Sequence, residues 1–317
     1  MSLAHSLPSF LAVGECMVEI APAGDVGDDL FRRGFAGDTF NTAWYARHLL
    51  PRSHGVGYLT AIGDDDASEA MLAFMAASGI DTDHIARVPE RTVGLYMIAL
   101  EDGERSFSYW RSHSAARLLA RHLPDPARAV REGGVVHVSG ITLAILTRDD
   151  RALLLDWLAR ARSGGAVVSL DPNVRPRLWE STAAIREWIE RAARVADIVL
   201  PSLDEEARDF GPASAGEDGA AAVAERYIGW GASTVVVKNG DAPGLVATAG
   251  GGRETFAPEP VVDVVDTTAA GDAFDAGFLT AMMQGEDLRA CARNGAKVAA
   301  KVVGQRGALV RLDRSGG

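Results

Sequence analysis

Short apolar runs alternate along the chain with longer segments in which apolar residues recur at helical spacing. The runs are rich in β-branched residues and predict strands at residues 11–13, 135–138, 167–170, 198–200 and 234–238. The helical spacing predicts helices at residues 151–162, 183–193 and 219–228. Because strands that alternate with helices form parallel sheets covered on both faces, the pattern predicts a doubly wound, mostly parallel α/β fold.

Two regions depart from this alternation. Residues 17–35 contain strand-like pieces around a Gly/Asp-rich turn, and residues 93–111 place Asp102-Gly103 between two apolar and aromatic runs, a pattern typical of a β-hairpin. Four such strands make a sheet too thin to stand alone. We therefore expect one domain over residues 10–312, with a small β-sheet lid at about 17–36 and 92–112. The aromatic strands of the lid predict a homodimer through the lids.

The composition limits the classes of molecule that the protein is expected to bind. The 317 residues include 32 basic and 43 acidic side chains, a net charge of −11, which argues against nucleic acid and against an anionic membrane surface. No apolar run reaches the roughly 20 residues of a membrane span. Cys16 and Cys291 lie far apart without metal-ligand spacing and predict thiols in a cytoplasmic protein. The negative net charge does not exclude a local pocket that binds an anion.

The strongest chemical signal lies at residues 265–274. A β-rich run at 261–265 leads into it and a helical pattern leaves it, with the small residues Ala269, Ala270 and Gly271 between. Small residues let backbone N–H groups converge on an anion at a helix start. Asp272 would then accept a proton from an attacking hydroxyl, as phosphoryl transfer requires. The spacing alone is more typical of an ordinary helix start with a first-turn aspartate.

The run Asp-Thr-x-x-Ala-Gly-Asp at 266–272 resembles the C-terminal signature of the ribokinase-like (PfkB) carbohydrate kinases, although many relatives have Gly at the position of Ala269. The resemblance covers nearly the whole chain, through segments 14–17, 33–41, 94–96, 109–111, 139–141 and 173–179. Within the family, the chain is most similar to members that phosphorylate 2-keto-3-deoxygluconate. The resemblance implies a ribokinase-like fold with a small lid. A Walker-type phosphate loop is absent from the sequence.

The resemblance also implies a substrate site. Its residues are Gly37, Asp38, Asn41, Tyr96, Tyr109, Arg111 and Arg175. A sugar acid carries a carboxylate that a neutral hexose lacks, and Arg111 and Arg175 would make charge-assisted bonds to it. Each has a plainer interpretation: Arg111 as an exposed hairpin-end charge, Arg175 with Arg177 as a surface pair. For Tyr96 and Tyr109 the plainer interpretation is packing within the lid.

By the same resemblance ATP would bind beside Asn173, Lys238, Gly240, Thr267 and Asn294. A strand-end lysine such as Lys238 is as often simply solvated. Mg²⁺ would be supported, through water, by Glu205 or Glu206. Some relatives bind a monovalent cation, and the role of Arg306 stays open.

Together these features predict ATP-dependent phosphorylation of 2-keto-3-deoxygluconate to its 6-phosphate, with Asp272 as the base. One alternative is a kinase of the same fold for a neutral sugar, fructose or ribose, or for a nucleoside. Another is a catalytically silent sensor of sugar acids. An NAD-linked enzyme would need a Gly-x-Gly-x-x-Gly run after the first strand, which the sequence lacks there.

Overall fold

The computed structural model describes residues 7–23, 30–101, 104–211 and 218–312. Its main sheet is formed by β1 (Phe10–Val13), β4 (Val56–Ile62), β5 (Ile85–Arg87), β8 (Val135–Ser139), β9 (Val167–Asp171), β10 (Ile198–Val199), β11 (Thr234–Val237), β12 (Gly244–Thr248) and β13 (Arg253–Phe256). Within the described residues the strand order is β13-β12-β11-β10-β9-β8-β1-β4-β5. Pairing is antiparallel at β11–β12 and β12–β13 and parallel elsewhere. The five strands predicted at residues 11–13, 135–138, 167–170, 198–200 and 234–238 are confirmed.

Helices cover both faces of this sheet. They are α1 (Asp38–Leu49), α2 (Asp66–Ala77), α3 (Gly140–Ile145), α4 (Arg148–Ser163), α5 (Thr182–Val195), α6 (Leu203–Phe210), α7 (Gly219–Trp230), α8 (Ala270–Met283) and α9 (Leu288–Val303). Leu11 and Val13 of β1 pack towards α4, α5 and α7, whereas Phe10 and Ala12 pack towards α1, α2, α8 and α9. The predicted doubly wound arrangement is therefore confirmed. No helix in the described part of the chain is both long and apolar enough to cross a bilayer.

The apolar run at 261–265 forms no strand, contrary to the prediction. The N–H groups of Val265 and Asp266 donate to the carbonyl oxygen of Val303, at 2.9 and 3.1 Å, so the segment lies beside the C-terminal end of α9. Val262 is 96% exposed. Because a helix carbonyl satisfies the main chain here, the segment needs no strand partner.

A second sheet lies over the main one. Its strands are β2 (Met17–Pro22), β3 (Phe31–Ala36), β6 (Gly94–Glu101) and β7 (Glu104–Trp110), in the order β3-β2-β6-β7. The predicted hairpin is present as the antiparallel pair β6–β7, while its turn at 102–103 and residues 24–29 lie outside the described residues. Met17, Ala36, Tyr96 and Ile98 form its small apolar cluster, which Ala308 completes. The small β-sheet lid is confirmed, and we keep that name for these four strands.

Candidate active site

The N-terminus of α8 forms a turn suited to an anion. Ala269 precedes the helix with φ of 61°, in the left-handed region, and the N–H of Ala270 donates to the carbonyl oxygen of Thr267 at 3.2 Å. The helical ladder begins with the Ala273 N–H, 2.9 Å from the carbonyl oxygen of Ala269. The N–H groups of Gly271 and Asp272 therefore precede the ladder and have no partner within the helix. With the helix dipole, they suit a phosphate oxygen. We call residues 267–272 the cradle.

Asp272 lies at the mouth of the cradle, half-buried. Its Oδ2 accepts a hydrogen bond from Nδ2 of Asn41 at 2.8 Å, and Thr42 Oγ1 donates to its carbonyl oxygen at 3.3 Å. Burial, and then the nearby charge of Asp38, raise the pKa of Asp272 to about 8. A carboxyl group that titrates near neutral pH is well matched to accept a proton during catalysis.

The start of α1 faces the cradle from the other side. Asp38 accepts a hydrogen bond from Nδ2 of Asn173 at 3.0 Å, and burial raises its pKa. Asn173 adopts φ of 34°, and its N–H donates to Oδ1 of Asp171 at 3.1 Å. A side chain at Gly37 would collide with the carbonyl oxygen of Glu15, so the approach of α1 to β1 requires glycine there. The structure thus brings Gly37, Asp38 and Asn41 to one site.

Lys238 follows β11 and is buried. Its Nζ donates to Oδ2 of Asp171 and Oδ1 of Asp275, at 3.0 Å each. The carboxylates outweigh burial and raise the pKa of Lys238, although burial alone would lower it. A β-carbon built on Gly271 would lie 3.6 Å from Nζ, so the ammonium group lies directly behind the cradle.

Arg111, at the end of β7, forms an ion pair with Glu15, which follows β1. Both side chains are buried, and among the described residues Nε and Nη2 of Arg111 make no hydrogen bond. The positive charge of Arg111 lowers the pKa of Asp38, against the larger effect of burial. Arg111 therefore reaches the site from the lid, instead of lying exposed at a hairpin end.

Arg175 lies at the rim of the site. Its Nη1 donates to Glu205 and, at 2.9 Å, to the carbonyl oxygen of Val174. Glu205 in turn accepts the N–H of Val174 at 3.2 Å, so it holds the loop that carries Arg175.

Trp179 anchors the end of the same loop. The guanidinium carbon of the buried Arg151 lies 4.7 Å from the Trp179 ring centroid. Nε of Arg151 donates to the carbonyl oxygen of Leu143 at 2.8 Å, and Nη2 donates to Glu180 at 2.9 Å. Sequence reasoning missed Arg151 and Glu15. A charged residue on an otherwise apolar helical face was the available signal for Arg151.

The two lid tyrosines differ in environment. Tyr96 is buried and its hydroxyl donates to Glu19, whereas Tyr109 is 54% exposed. Their ring centroids lie 5.9 Å apart. The structure therefore allows the two tyrosines both to pack within the lid and to make polar contacts.

The two glutamates considered for Mg²⁺ are both paired with cations. Glu205 binds Arg175, while the buried Glu206 accepts from the Tyr227 hydroxyl at 2.7 Å and from Arg226. Burial raises the pKa of Glu206 to about 7. The described residues contain no group of three or more His, Cys, Asp or Glu side chains that could hold a metal. This donor set fits an ion held mostly by phosphates and water, and not a protein cage.

The remaining residues predicted to bind the nucleotide lie on three different segments. Gly240 turns the chain after β11 with φ of 56°, and Thr267 begins the cradle. Asn294 donates to the carbonyl oxygen of Gly277 at 2.8 Å. It also lines a groove of about 690 Å³ with residues 259–263, Lys297 and Lys301. Residues 259–263 lead directly into the cradle.

Comparison with known proteins relates this geometry to a family. The pfkB family carbohydrate kinase model matches residues 9–313. The chain is 37% identical over 311 residues to the 2-dehydro-3-deoxygluconokinase of Dickeya dadantii. The aligned region covers 95% of this chain and 96% of that relative.

Solved structures agree. A PfkB protein from a Polaromonas species superposes with a TM-score of 0.80 and 28% identity, covering 94% of this chain and 96% of that one. A fructokinase with bound ATP from Xylella fastidiosa superposes with a TM-score of 0.79 and 25% identity, covering 94% and 93% of the two chains. The predicted ribokinase-like fold is confirmed. The chain belongs to the pfkB family of carbohydrate kinases.

Proposed function

We propose that this protein transfers the γ-phosphoryl group of ATP to 2-keto-3-deoxygluconate, also called 2-dehydro-3-deoxygluconate, and forms the 6-phosphate. The observation that carries the proposal is the carboxyl group of Asp272, with a pKa of about 8, at the mouth of the cradle. The relative named 2-dehydro-3-deoxygluconokinase, 37% identical over nearly the full length, supports the choice of substrate.

In this reaction Asp272 accepts the proton of the attacking hydroxyl while the sugar oxygen bonds to the γ-phosphorus of ATP; the bond from that phosphorus to the β–γ bridging oxygen breaks, and ADP leaves with the bond's electron pair. Asn41 holds the carboxylate in place through its 2.8 Å hydrogen bond. The N–H groups of Gly271 and Asp272, with Ala269 and Ala270 shaping the turn, stabilise negative charge on the transferring group. Mg²⁺ bound to the phosphates of ATP would neutralise part of their charge. The lid excludes water, so that the sugar is phosphorylated and ATP is not hydrolysed.

Substrate recognition follows from charge. Arg111 and Arg175 would bind the carboxylate and keto end, while Gly37, Asp38 and Asn41 read hydroxyl groups. Tyr96 and Tyr109 complete the wall from the lid. Because Glu15 already orients Arg111, that guanidinium loses little freedom when the sugar acid binds.

The nucleotide would lie on the other side of the cradle. Thr267, Gly240 and Asn173 would contact its phosphates, and the groove beside Asn294 would hold its base. Glu205 or Glu206 would act on Mg²⁺ only through water, since each carboxylate pairs with an arginine. A monovalent cation near Asp266 would be a further ligand of this region.

A substrate panel tests the proposal. Purified protein is assayed for ADP release with MgATP and 2-keto-3-deoxygluconate, gluconate, fructose, ribose or a nucleoside, and products are identified by mass spectrometry and NMR. We expect kcat/KM to be highest for 2-keto-3-deoxygluconate, with phosphate on O6. A higher value for fructose or ribose would favour a neutral-sugar kinase, as in the Xylella fastidiosa fructokinase. Sugar-acid binding without ADP release would indicate the sensor.

We also propose that residues 10–312 act as one kinase domain, with the lid at about 17–36 and 92–112. The lid leaves Phe31, Phe107, Tyr109 and Trp110 exposed, which supports a homodimer through the lids. Light scattering after size exclusion should give twice the chain mass, and Trp110→Glu should reduce it to one. We place the enzyme in the cytoplasm, where ATP is available and the buried thiols of Cys16 and Cys291 stay reduced.

A further inference from the structure

A buried ion cluster behind the cradle has no part in the reaction as described above. It consists of Lys238, Asp171 and Asp275, which we call the triad. Through Lys238 it joins the loop after β11 to the last residue of β9 and to the first turns of α8. Asp275 is three residues beyond Asp272, so the two side chains are neighbours on one face of α8. The triad therefore fixes the part of α8 that carries the base.

The charge of the triad constrains its protonation. Two ionised carboxylates against one ammonium would leave a net negative charge buried behind an anion site, which is costly. Oδ2 of Asp275 is buried and receives no hydrogen bond from any described residue, and the carboxyl groups of Asp275 and Asp171 face each other at hydrogen-bond range. A proton on Asp275 satisfies both and makes the triad neutral. Burial raises the pKa of Asp275, which favours the protonated carboxyl group.

The pairing also argues against Lys238 as a phosphate ligand. Turning its ammonium group towards the cradle would break two 3.0 Å bonds and leave Asp171 buried without its cation. Breaking a buried ion pair in this way is strongly destabilising, because it leaves a buried charge without compensation. Asp171 also holds the N–H of Asn173, so the disturbance would reach the loop of Arg175.

We propose that Lys238 is a positioning residue: with Asp171 and Asp275 it fixes the start of α8 against the sheet and balances the charge of Asp171 behind Asp272, without contacting the nucleotide. This inference rests on the proposed phosphoryl transfer. Charged and titratable groups surround Asp272 and Lys238 from several elements: Asp38 and Tyr45 on α1, Arg111 after β7, His137 on β8, Asp171 and Arg175 at and after the end of β9, Asp266 before the cradle and Asp275 on α8. The charge of Lys238 favours ionised Asp272, against the larger opposite effect of Asp171.

Lys238→Met separates the two roles. The dissociation constant for MgAMP-PNP, a non-hydrolysable ATP analogue that keeps the third phosphate, is measured by calorimetry, and kcat and kcat/KM are followed from pH 5.5 to 9.5. We expect MgAMP-PNP affinity to stay within about threefold, because no phosphate contact is lost. We expect the acid limb of kcat/KM to move up by about half a pH unit or more, because Asp171, close to Asp272, loses its counter-ion. At least tenfold weaker MgAMP-PNP binding with an unmoved limb would overturn the proposal.

Two further variants test the protonation of Asp275 and replace Lys238→Met if that variant does not fold. Asp275→Asn keeps the shape and removes only a proton-binding group, so we expect kcat within about twofold and an unchanged melting temperature at pH 7; a tenfold loss would refute the neutral triad. If Lys238→Met does not fold, Lys238→Met/Asp171→Asn also removes the carboxylate that the first substitution strands and takes its place; MgAMP-PNP affinity should again stay within about threefold, and at least tenfold weaker binding would overturn the proposal. Arg194→Met, which removes an exposed cation on α5, is the matched control and should change neither readout.

The proposed function and the triad can fail separately. If the wild-type protein phosphorylates no sugar acid, the proposed function fails. MgAMP-PNP affinity and melting temperature still decide whether Lys238 contacts phosphate or fixes α8, because neither measurement needs turnover.

Discussion

The hydrogen bond from Asn41 lowers the pKa of Asp272 against the larger effects of burial and of Asp38, and so shifts the pH at which the enzyme becomes active. With a pKa of about 8, Asp272 is ionised in roughly 9% of free enzyme molecules at pH 7 and roughly 1% at pH 6. Because kcat/KM follows the free enzyme, it should rise about tenfold per pH unit below pH 8 and level off above it. Asn41→Ala removes a donor 2.8 Å from the carboxylate and should move this limb upwards.

The size of the shift can be worked out from the contact. A hydrogen bond to a charged group contributes about 1.5–3 kcal/mol, and one pKa unit corresponds to about 1.4 kcal/mol. The site is half-buried and water replaces part of the lost bond, so we take the lower end and expect a shift of about one unit. The pH-dependent part of the loss in kcat/KM should therefore be roughly tenfold at pH 7 and mostly disappear at pH 9, whereas the loss of the hydroxyl contact of Asn41 should be the same at both.

The assay couples ADP release to NADH oxidation, with coupling enzymes in excess at every pH. Thr42→Val is the matched control, because Thr42 contacts the backbone oxygen of Asp272 and not its carboxylate. Its limb should coincide with that of the wild type. A wild-type limb near pH 6, or the same limb in Asn41→Ala, would refute Asp272 as a base whose pKa is raised by burial.

Three further predictions concern the same site. Asp272→Asn should abolish turnover; because the folded-state pKa is raised, the wild type loses stability as pH rises from 4 to 8, so the variant should melt higher at pH 8 and equally at pH 4 in scanning calorimetry. Arg175→Ala should raise KM for the sugar acid by about 10–100-fold with kcat nearly unchanged, whereas Arg177→Ala should not; equal KM values in steady-state assays would contradict the carboxylate contact. Ala269→Gly relieves a left-handed backbone and should raise the melting temperature by about 2 °C with activity kept, and a lower melting temperature would count against that strain.

Sequence reasoning worked where one local pattern decides the structure. The alternation of apolar runs fixed the α/β class, and Asp102-Gly103 marked the β6–β7 hairpin. It was wrong at 261–265, because the carbonyl of Val303 that binds this segment lies in a helix beyond it in the chain. The partners of Lys238 lie 67 and 37 residues away, so their meeting depends on strand order, which no local pattern contains.

The ion pairs formed by Lys238 bear on how the protein can be handled chemically. The chain has three lysines, and Lys238 is buried between carboxylates, which leaves Lys297 and Lys301 on α9 as the exposed lysine amines. Both line the groove beside Asn294. Amine-directed coupling to a surface or dye would therefore concentrate on this one wall, whereas attachment through the many exposed arginines or carboxylates would leave it open. Conversely, acylation of these two lysines provides a footprint of whatever occupies the groove.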